Sequence, residues 1–219
     1  MSRAASSLAP NAFRAVLFDL GGVVLGSPLH AIARFERERG IEAGFVNRIV
    51  AGTGPTGAWS RLERGELAME AFYGAFEAEC SEAGVALDAR AMMERVHAES
   101  QPRPAMIEAI RRIRSAGLRT GAVTNNWVSD EEGTRPLRPW FDVFVESCVV
   151  GVRKPDRRIY EIACREIGHA PGEAVFLDDI GANLKSARAF GLTTIKVDAP
   201  EPALRELEGL LGLSLLDAA

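Results

Sequence analysis

The sequence predicts an α/β protein in which a parallel sheet is flanked by helices and an all-helical segment interrupts the chain after the first strand. A short apolar run at 14–18 predicts the first, buried strand. Between residues 29 and 99 the apolar residues recur at helical spacing, and no strand pattern occurs. After residue 102, helix and strand patterns alternate strictly, which is typical of a parallel sheet covered by helices on both faces.

The all-helical segment is indicated by its apolar residues, which recur about every 3.6 residues. They include Ile32, Phe35, Ile41, Leu67, Phe72, Phe76 and Cys80. A glycine-rich stretch at 52–57 predicts an irregular loop inside the segment. A further helix is predicted at 85–97.

The alternating part of the chain is punctuated by glycines at 117, 168 and 191, each of which ends a predicted helix. The predicted elements are helix 104–116, strand 118–123, polar loop 124–132, strand 143–146, helix 155–167, strand 174–177, helix 180–190, strand 192–197 and helix 200–211. We therefore predict a core formed by 13–24 and 102–219, with a helical cap at 25–101 inserted into it.

Composition places the chain among ordinary globular proteins, with 47% hydrophobic and 26% charged residues in a length of 219. A net charge of −4 argues against a general nucleic-acid or membrane-surface role. The Ala- and Ser-rich residues 1–12 lack the apolar core of a secretory signal and are predicted to be a loose tail. Cys80, Cys148 and Cys164 have no metal-type spacing, so we expect buried reduced thiols and a cytoplasmic protein. The sequence does not indicate the oligomeric state.

Carboxylates follow two of the predicted strands at the point where each strand ends. Asp19 follows the first strand, and Asp178 and Asp179 follow the strand at 174–177. Because ligands bind at the carboxyl edge of open parallel sheets, these acids predict a site for a hard cation such as Mg²⁺. Asp19 beside a cation is a candidate covalent nucleophile. The alternative is an aspartate that only stabilises a glycine-rich turn.

Three further polar residues are expected at the same edge. Thr124 and Asn125 follow the second core strand and offer a hydroxyl, an amide and backbone N–H groups to a phosphate oxygen. Lys154 would hold two anions together by its positive charge. The alternatives are a helix cap for Thr124 and Asn125, and an exposed lysine ahead of a helix for Lys154.

A resemblance to a known family is carried by four stretches of the predicted core, at 18–24, 123–127, 141–160 and 176–185. The chain resembles the haloacid dehalogenase (HAD) superfamily, and within it most of all the phosphatase-like N-terminal domain of soluble epoxide hydrolases. Epoxide hydrolysis itself does not carry over, since it belongs to a separate domain and the Gly-x-Ser-x-Gly nucleophile elbow is missing here. In the cap the resemblance is weak.

This resemblance implies a Rossmann-like core and a Mg²⁺-dependent phosphohydrolase acting on a small phosphorylated substrate, with no nucleic-acid or membrane partner. It implies that Asp19 is the nucleophile and that Mg²⁺ is held by Asp19, Asp179 and the backbone carbonyl of Gly21. Asp178 would orient Lys154 or a metal-bound water.

Gly21 stands where most phosphatases of the superfamily have a second aspartate, which protonates the leaving oxygen. General acid catalysis contributes roughly 10²–10⁴ in rate. Either another group or a water donates the proton, or efficient turnover is lost. The alternative functions are therefore a dehalogenase that attacks carbon and a catalytically weak or non-catalytic binding protein.

Overall fold

The computed structural model describes residues 13–128 and 133–217. The predicted tail at 1–12 and the part of the predicted polar loop at 129–132 lie outside the described residues.

The sheet is five-stranded, entirely parallel and ordered β3-β2-β1-β4-β5. Its strands are β1 (Ala15–Phe18), β2 (Arg119–Thr124), β3 (Val143–Glu146), β4 (Ala174–Asp178) and β5 (Thr193–Lys196). The predicted parallel α/β fold is confirmed. In register, Phe18 at the end of β1 lies opposite Ala122 on one side and Leu177 on the other, so β4 extends one residue and β2 two residues beyond the end of β1.

Helices connect the strands and fill the insertion after β1. They are α1 (Pro28–Glu38), α2 (Phe45–Thr53), α3 (Ala58–Glu63), α4 (Met69–Glu82), α5 (Ala89–Glu99), α6 (Pro104–Ser115), α7 (Ser147–Val150), α8 (Arg157–Ile167), α9 (Gly181–Phe190) and α10 (Pro200–Leu211). Two begin later than predicted because an aspartate caps them. Asp88 accepts a hydrogen bond from Ala91 N at 2.9 Å, and Asp156 accepts one from Arg158 N at 2.9 Å.

The sheet separates two apolar layers, and β1 contributes to both because its side chains alternate. Val16 and Phe18 pack in a cluster with residues of α6 and α10. Ala15 and Leu17 pack in a second cluster with residues of α8 and α9. β1 is therefore buried on both faces, which explains its continuous apolar sequence.

Helices α1 to α5 enclose an apolar cluster of their own, which includes Phe72, Phe76 and Met92. The two chain segments that join them to the sheet lie side by side. Gly26 N donates to Gln101 O at 2.9 Å, and Arg103 N donates to Val24 O at 2.8 Å. The division into a core of 13–24 and 102–219 and a cap of 25–101 stays a prediction.

The three cysteines are unpaired, and two of them are buried as expected. The exception is Cys148, which is half-buried because it lies in the short surface helix α7. Among residues 13–128 and 133–217, no helix is long and apolar enough to cross a membrane.

A buried carboxylate fixes the turn between α1 and α2. Glu36, 1% exposed, accepts hydrogen bonds from Gly44 N and Val46 N, each at 2.8 Å. These two N–H groups belong to the start of α2, which has no side-chain cap of its own.

Replacing this carboxylate should destabilise the protein. We expect Glu36→Ala to lower the free energy of unfolding in urea by about 2–4 kcal/mol, because two charge-assisted bonds are lost and buried N–H groups are left unpaired. Arg37→Ala, at the exposed neighbouring position, should change it by less than about 0.5 kcal/mol. Equal effects of the two substitutions would contradict this assignment.

Candidate active site

The candidate site lies where the connections leave the sheet in opposite directions, between β1 and β4. The chain moves from β1 to β2 on one side and returns to β4 on the other, and ligands bind at such a switch point in open α/β sheets. Asp19 follows β1 directly, and its N–H donates to Leu177 O in β4 at 2.9 Å. Asp178 is the last residue of β4. The sheet itself therefore brings these two carboxylates together.

Lys154 joins them. Its Nζ lies 2.8 Å from Asp19 Oδ1 and 2.7 Å from Asp178 Oδ2. The lysine is only 1% exposed and Asp178 is fully buried, so this is an ion-pair network inside the protein. The alternative of an exposed lysine is wrong.

Asp178 is held by donors on every side. Besides Lys154, its carboxylate accepts hydrogen bonds from Ile180 N at 2.7 Å and from Asn183 Nδ2 at 3.1 Å. Tyr160 OH in turn donates to Asn183 O at 2.9 Å. Asp178 is thus occupied in orienting Lys154. Asn183 was not predicted as a site residue; it reaches Asp178 from the first turn of α9, five positions further along the chain.

Asn125 positions Lys154 through its main chain. Its Nδ2 donates to Lys154 O at 3.0 Å, and its Oδ1 accepts from Lys154 N at 2.8 Å. Both ends of the amide are therefore engaged with one backbone unit. Thr124 is 3% exposed at the end of β2, and its nearest hydrogen-bond contact is Asn125 O at 3.5 Å.

The loop after β1 sets the direction of Asp19 and admits Asp179. Asp19 Oδ1 accepts from Leu20 N at 2.7 Å as well as pairing with Lys154, and the described residues supply no partner to Oδ2. Gly22 has φ +81°, and a Cβ on it would lie 2.1 Å from Asp179 Oδ2. A side chain at position 22 would fill the space that the Asp179 carboxylate occupies.

The charges of the cluster do not balance. Asp19, Asp178 and Asp179 each offer an oxygen, and these oxygens lie within 4.8 Å of one another, against the single ammonium of Lys154. Burial and, to a lesser degree, the neighbouring carboxylates raise the pKa of Asp19 to about 8 and that of Asp179 to about 6, although Lys154 partly offsets both increases. Burial lowers the pKa of Lys154, but Asp178 and Asp19 more than offset this and the net shift is upward. A divalent cation would relieve the excess negative charge, and this all-oxygen set is the kind Mg²⁺ binds.

A cavity of about 320 Å³, here called the active-site cavity, opens onto these groups. Asp19, Gly21, Asn125, Lys154 and Asp179 line its floor. Its walls come largely from α1, α2 and α3 and contain the apolar residues Leu29, Ile32, Val46, Val50 and Trp59 beside the polar residues Asn47, Glu63 and Arg153. An outer cavity of about 770 Å³ shares Leu29, Val50 and other wall residues with it and includes the arginines Arg64, Arg153 and Arg158.

Two charged residues of the cavity wall were not predicted from the sequence. Glu63, at the end of α3, forms an ion pair with Arg153, which directly precedes Lys154. Glu63 Oε1 also accepts from Trp59 Nε1 at 3.0 Å. The Glu63–Arg153 ion pair joins the inserted helices to the sheet edge. The two residues are far apart in the chain, so no local sequence pattern predicts their pairing.

Comparison with known proteins agrees with this geometry. The family described as haloacid dehalogenase-like hydrolase matches residues 13–191. The chain belongs to this family. It is therefore a hydrolase, and the resemblance drawn from the sequence is confirmed.

Some curated relatives of the HAD-like chain are much longer proteins. Acyl-CoA dehydrogenase family member 10 of Mus musculus is 40% identical over 93% of this chain and 20% of its own length. Bifunctional epoxide hydrolase 2 of Sus scrofa is 34% identical over 94% of the chain and 40% of its own length. Sesquiterpene phosphatase astK of Aspergillus oryzae is 24% identical over 91% of the chain and 97% of its own length. The chain thus spans a fifth to two fifths of the two longer relatives.

Solved structures share the fold. A dehalogenase superposes with a TM-score of 0.64 at 23% identity, covering 93% of this chain and 99% of that one. A HAD family enzyme of Bacteroides thetaiotaomicron, in complex with magnesium and inorganic phosphate, superposes with a TM-score of 0.58 at 17% identity, covering 86% and 96%. At these identities the similarity concerns the fold alone.

Removal of the buried ammonium should be costly. We expect Lys154→Met to lower the free energy of unfolding in urea and EDTA by about 3–5 kcal/mol, because two buried carboxylates lose their partner. Lys154 lowers the pKa of Asp19, which burial and the neighbouring carboxylates nevertheless raise to about 8, so removal of the lysine raises this pKa further and the loss should grow as pH increases through about 8. Lys185→Met, at an exposed position of α9, should cost less than about 0.5 kcal/mol.

Gly22→Ala should weaken cation binding. The new methyl group displaces the Asp179 carboxylate and forces a residue with a Cβ into a positive φ. We expect Mg²⁺ affinity, measured by calorimetric titration, to fall about 10- to 100-fold. Gly74→Ala, in an exposed turn of α4 with open space around it, should leave the affinity unchanged. Undiminished Mg²⁺ affinity in a folded Gly22→Ala protein would contradict the assignment of Asp179.

Proposed function

We propose that the protein is a Mg²⁺-dependent phosphohydrolase that cleaves phosphate monoesters through an aspartyl-phosphate. The observation that supports this most is the Asp19 carboxylate, whose Oδ1 is fixed by Lys154 and Leu20 N while Oδ2 has no partner among the described residues. A nucleophile held by one oxygen at the floor of a cavity suits attack on an electrophile placed above it.

The reaction proceeds in two steps. Asp19 attacks phosphorus, the bond from phosphorus to the ester oxygen breaks, and the alcohol departs. Water then attacks the same phosphorus, which releases inorganic phosphate and restores the Asp19 carboxylate. The departing oxygen takes up one proton and the attacking water gives one up, so the two steps balance. Lys154 counters the negative charge that gathers between nucleophile and phosphoryl group.

Mg²⁺ would be held by Asp19, Asp179 and the carbonyl of Gly21, and it would supply positive charge against the phosphoryl oxygens. Three carboxylates against one lysine, and the space that Gly22 leaves for Asp179, support this assignment. Asp178 orients Lys154, and Asn125 fixes the lysine main chain. Thr124 and the backbone N–H of Asn125 are proposed to contribute to binding of the phosphoryl group, since the Asn125 amide is engaged with the Lys154 main chain.

The substrate is proposed to be a small phosphate ester with an apolar organic part. Leu29, Ile32, Val46, Val50 and Trp59 line the cavity above the acids and offer little to a polyol. The Aspergillus relative, named a sesquiterpene phosphatase, is consistent with such a substrate. The unpaired cysteines fit a cytoplasmic location.

The dehalogenase alternative uses the same nucleophile on carbon and needs no cation. The excess carboxylate charge around Asp19 disfavours it, because attack on carbon has no use for Asp179. The other alternative, a non-catalytic binder, rests on Gly21 alone.

Activity should depend on both the nucleophile and the cation. We expect hydrolysis of p-nitrophenyl phosphate in Mg²⁺, its loss in EDTA, and its recovery when Mg²⁺ is added back. Asp19→Asn should lower kcat by at least about 10³-fold, whereas Asp198→Asn, at an exposed position, should leave it unchanged.

A chromatographic panel of phosphate esters and a chloride-release assay with 2-chloropropionate separate the three functions. Phosphate release that survives Asp19→Asn would overturn the proposed mechanism. Chloride release without phosphate release would establish the dehalogenase instead, and neither product would indicate the binder.

A further inference from the structure

The first question that the site leaves open is which group protonates the departing oxygen. Gly21 has φ −64° and ψ 123°, a conformation open to any residue, so the backbone does not require glycine there. A Cβ at position 21 would lie 3.0 Å from Pro28 Cγ and 3.1 Å from its Cδ. Pro28, the first residue of α1, thus takes up much of the space that an acidic side chain would need.

Glu63 borders the same cavities as Gly21. It is 7% exposed and lines the active-site cavity together with Asp19, Gly21 and Lys154. It also lines a smaller side cavity of about 190 Å³ that contains Gly21 and Asn125. Glu63 and Gly21 therefore border both spaces, and Glu63 is the only carboxylate that α1 to α3 contribute to either one.

The carboxyl group of Glu63 is held in place by two neighbours. Oε1 accepts from Trp59 Nε1 at 3.0 Å, and Oε2 faces Arg153. Arg153 is itself anchored through Nη1 to Ser60 Oγ at 3.0 Å. The glutamate therefore has a fixed orientation in a water-poor wall, which suits a proton donor.

We propose that Glu63 is the acid-base catalyst of the site, a role that Gly21 cannot perform because it has no side chain. The inference rests on the proposed phosphohydrolase function. In the first step the Glu63 carboxyl gives its proton to the ester oxygen as the bond from phosphorus to that oxygen breaks, and becomes a carboxylate. In the second step it takes a proton from the water that attacks the aspartyl-phosphate. The carboxyl group is then restored, and no other co-reactant is needed.

The charges around Glu63 are compatible with this cycle. Burial raises the pKa of Glu63 above its usual range, while Arg153, Trp59 and Lys154 lower it without cancelling the rise. Arg153, Lys154 and Arg64 are charged groups that interact with it, and His97 of α5 lines the same side cavity. The glutamate can therefore hold a proton at a higher pH than an exposed one, and Arg153 stabilises the carboxylate formed after donation.

The test compares leaving groups in the Mg²⁺-loaded protein. We expect Glu63→Gln, which keeps shape and the Trp59 contact, to lower kcat/KM for phenyl phosphate roughly 10²-fold or more. For 2,4-dinitrophenyl phosphate, whose phenolate leaves without a proton, the loss should stay below about 5-fold. The alkaline limb of the wild-type pH profile with phenyl phosphate should also disappear. Glu70→Gln, at an exposed position of α4, is the matched control.

The Arg153→Met variant distinguishes a catalytic role of Glu63 from a role in which Glu63 only holds Arg153 in place. If Glu63 only holds Arg153 in place, both variants should lower kcat/KM equally for every leaving group, and this result would overturn the proposal. Unchanged hydrolysis of phenyl phosphate by Glu63→Gln would overturn it as well. Failure of the proposed function itself is distinguishable, because it appears as activity that survives Asp19→Asn and does not depend on position 63.

Discussion

The site depends on one buried ammonium group placed between two carboxylates. Lys154 contacts Asp19 after β1 and Asp178 at the end of β4, so three segments far apart in the chain are joined at one point. Two buried carboxylates repel each other because little water screens their charges, and the positive charge of Lys154 stabilises both of them. The same contact turns Asp19 so that one oxygen is fixed and the other has no partner among residues 13–128 and 133–217. Stability and reactivity at this edge therefore have a common origin.

Whether a site residue could be predicted from the sequence depends on its position relative to the strands. Asp19, Asp178 and Asp179 could be found because they end apolar strands, and parallel strands end at one edge whatever their order. Two helices were predicted too early, because Asp88 and Asp156 cap them through local hydrogen bonds that apolar periodicity does not register. The sheet order, by contrast, emerges only from long-range pairing, which a single sequence does not specify.

Other parts of the site depend on contacts between elements and were out of reach. Asn183 lies in the first turn of α9, five positions after Asp178, and a single sequence does not show that its amide turns back to donate to that carboxylate. Asn125 was expected to face a phosphate, but both ends of its amide engage the main chain of Lys154. Glu63 and Arg153 are 90 positions apart, and their pairing requires α3 to fold back onto the sheet edge.

The glycines that follow Asp19 have different physical reasons, and the difference bears on the catalytic cycle. Gly22 is required because Asp179 passes where its side chain would be and because its φ is positive. Gly21 has neither constraint, and Pro28 of α1 stands beside it. The sheet edge thus supplies the proposed nucleophile, the lysine and the proposed cation ligands, while the helical insertion supplies both Pro28, beside position 21, and Glu63, the proposed proton donor. The proposed acid, Glu63, belongs to the same group of helices as the apolar wall of the cavity. Recognition of the substrate's organic part and delivery of the proton would therefore both depend on the helical insertion.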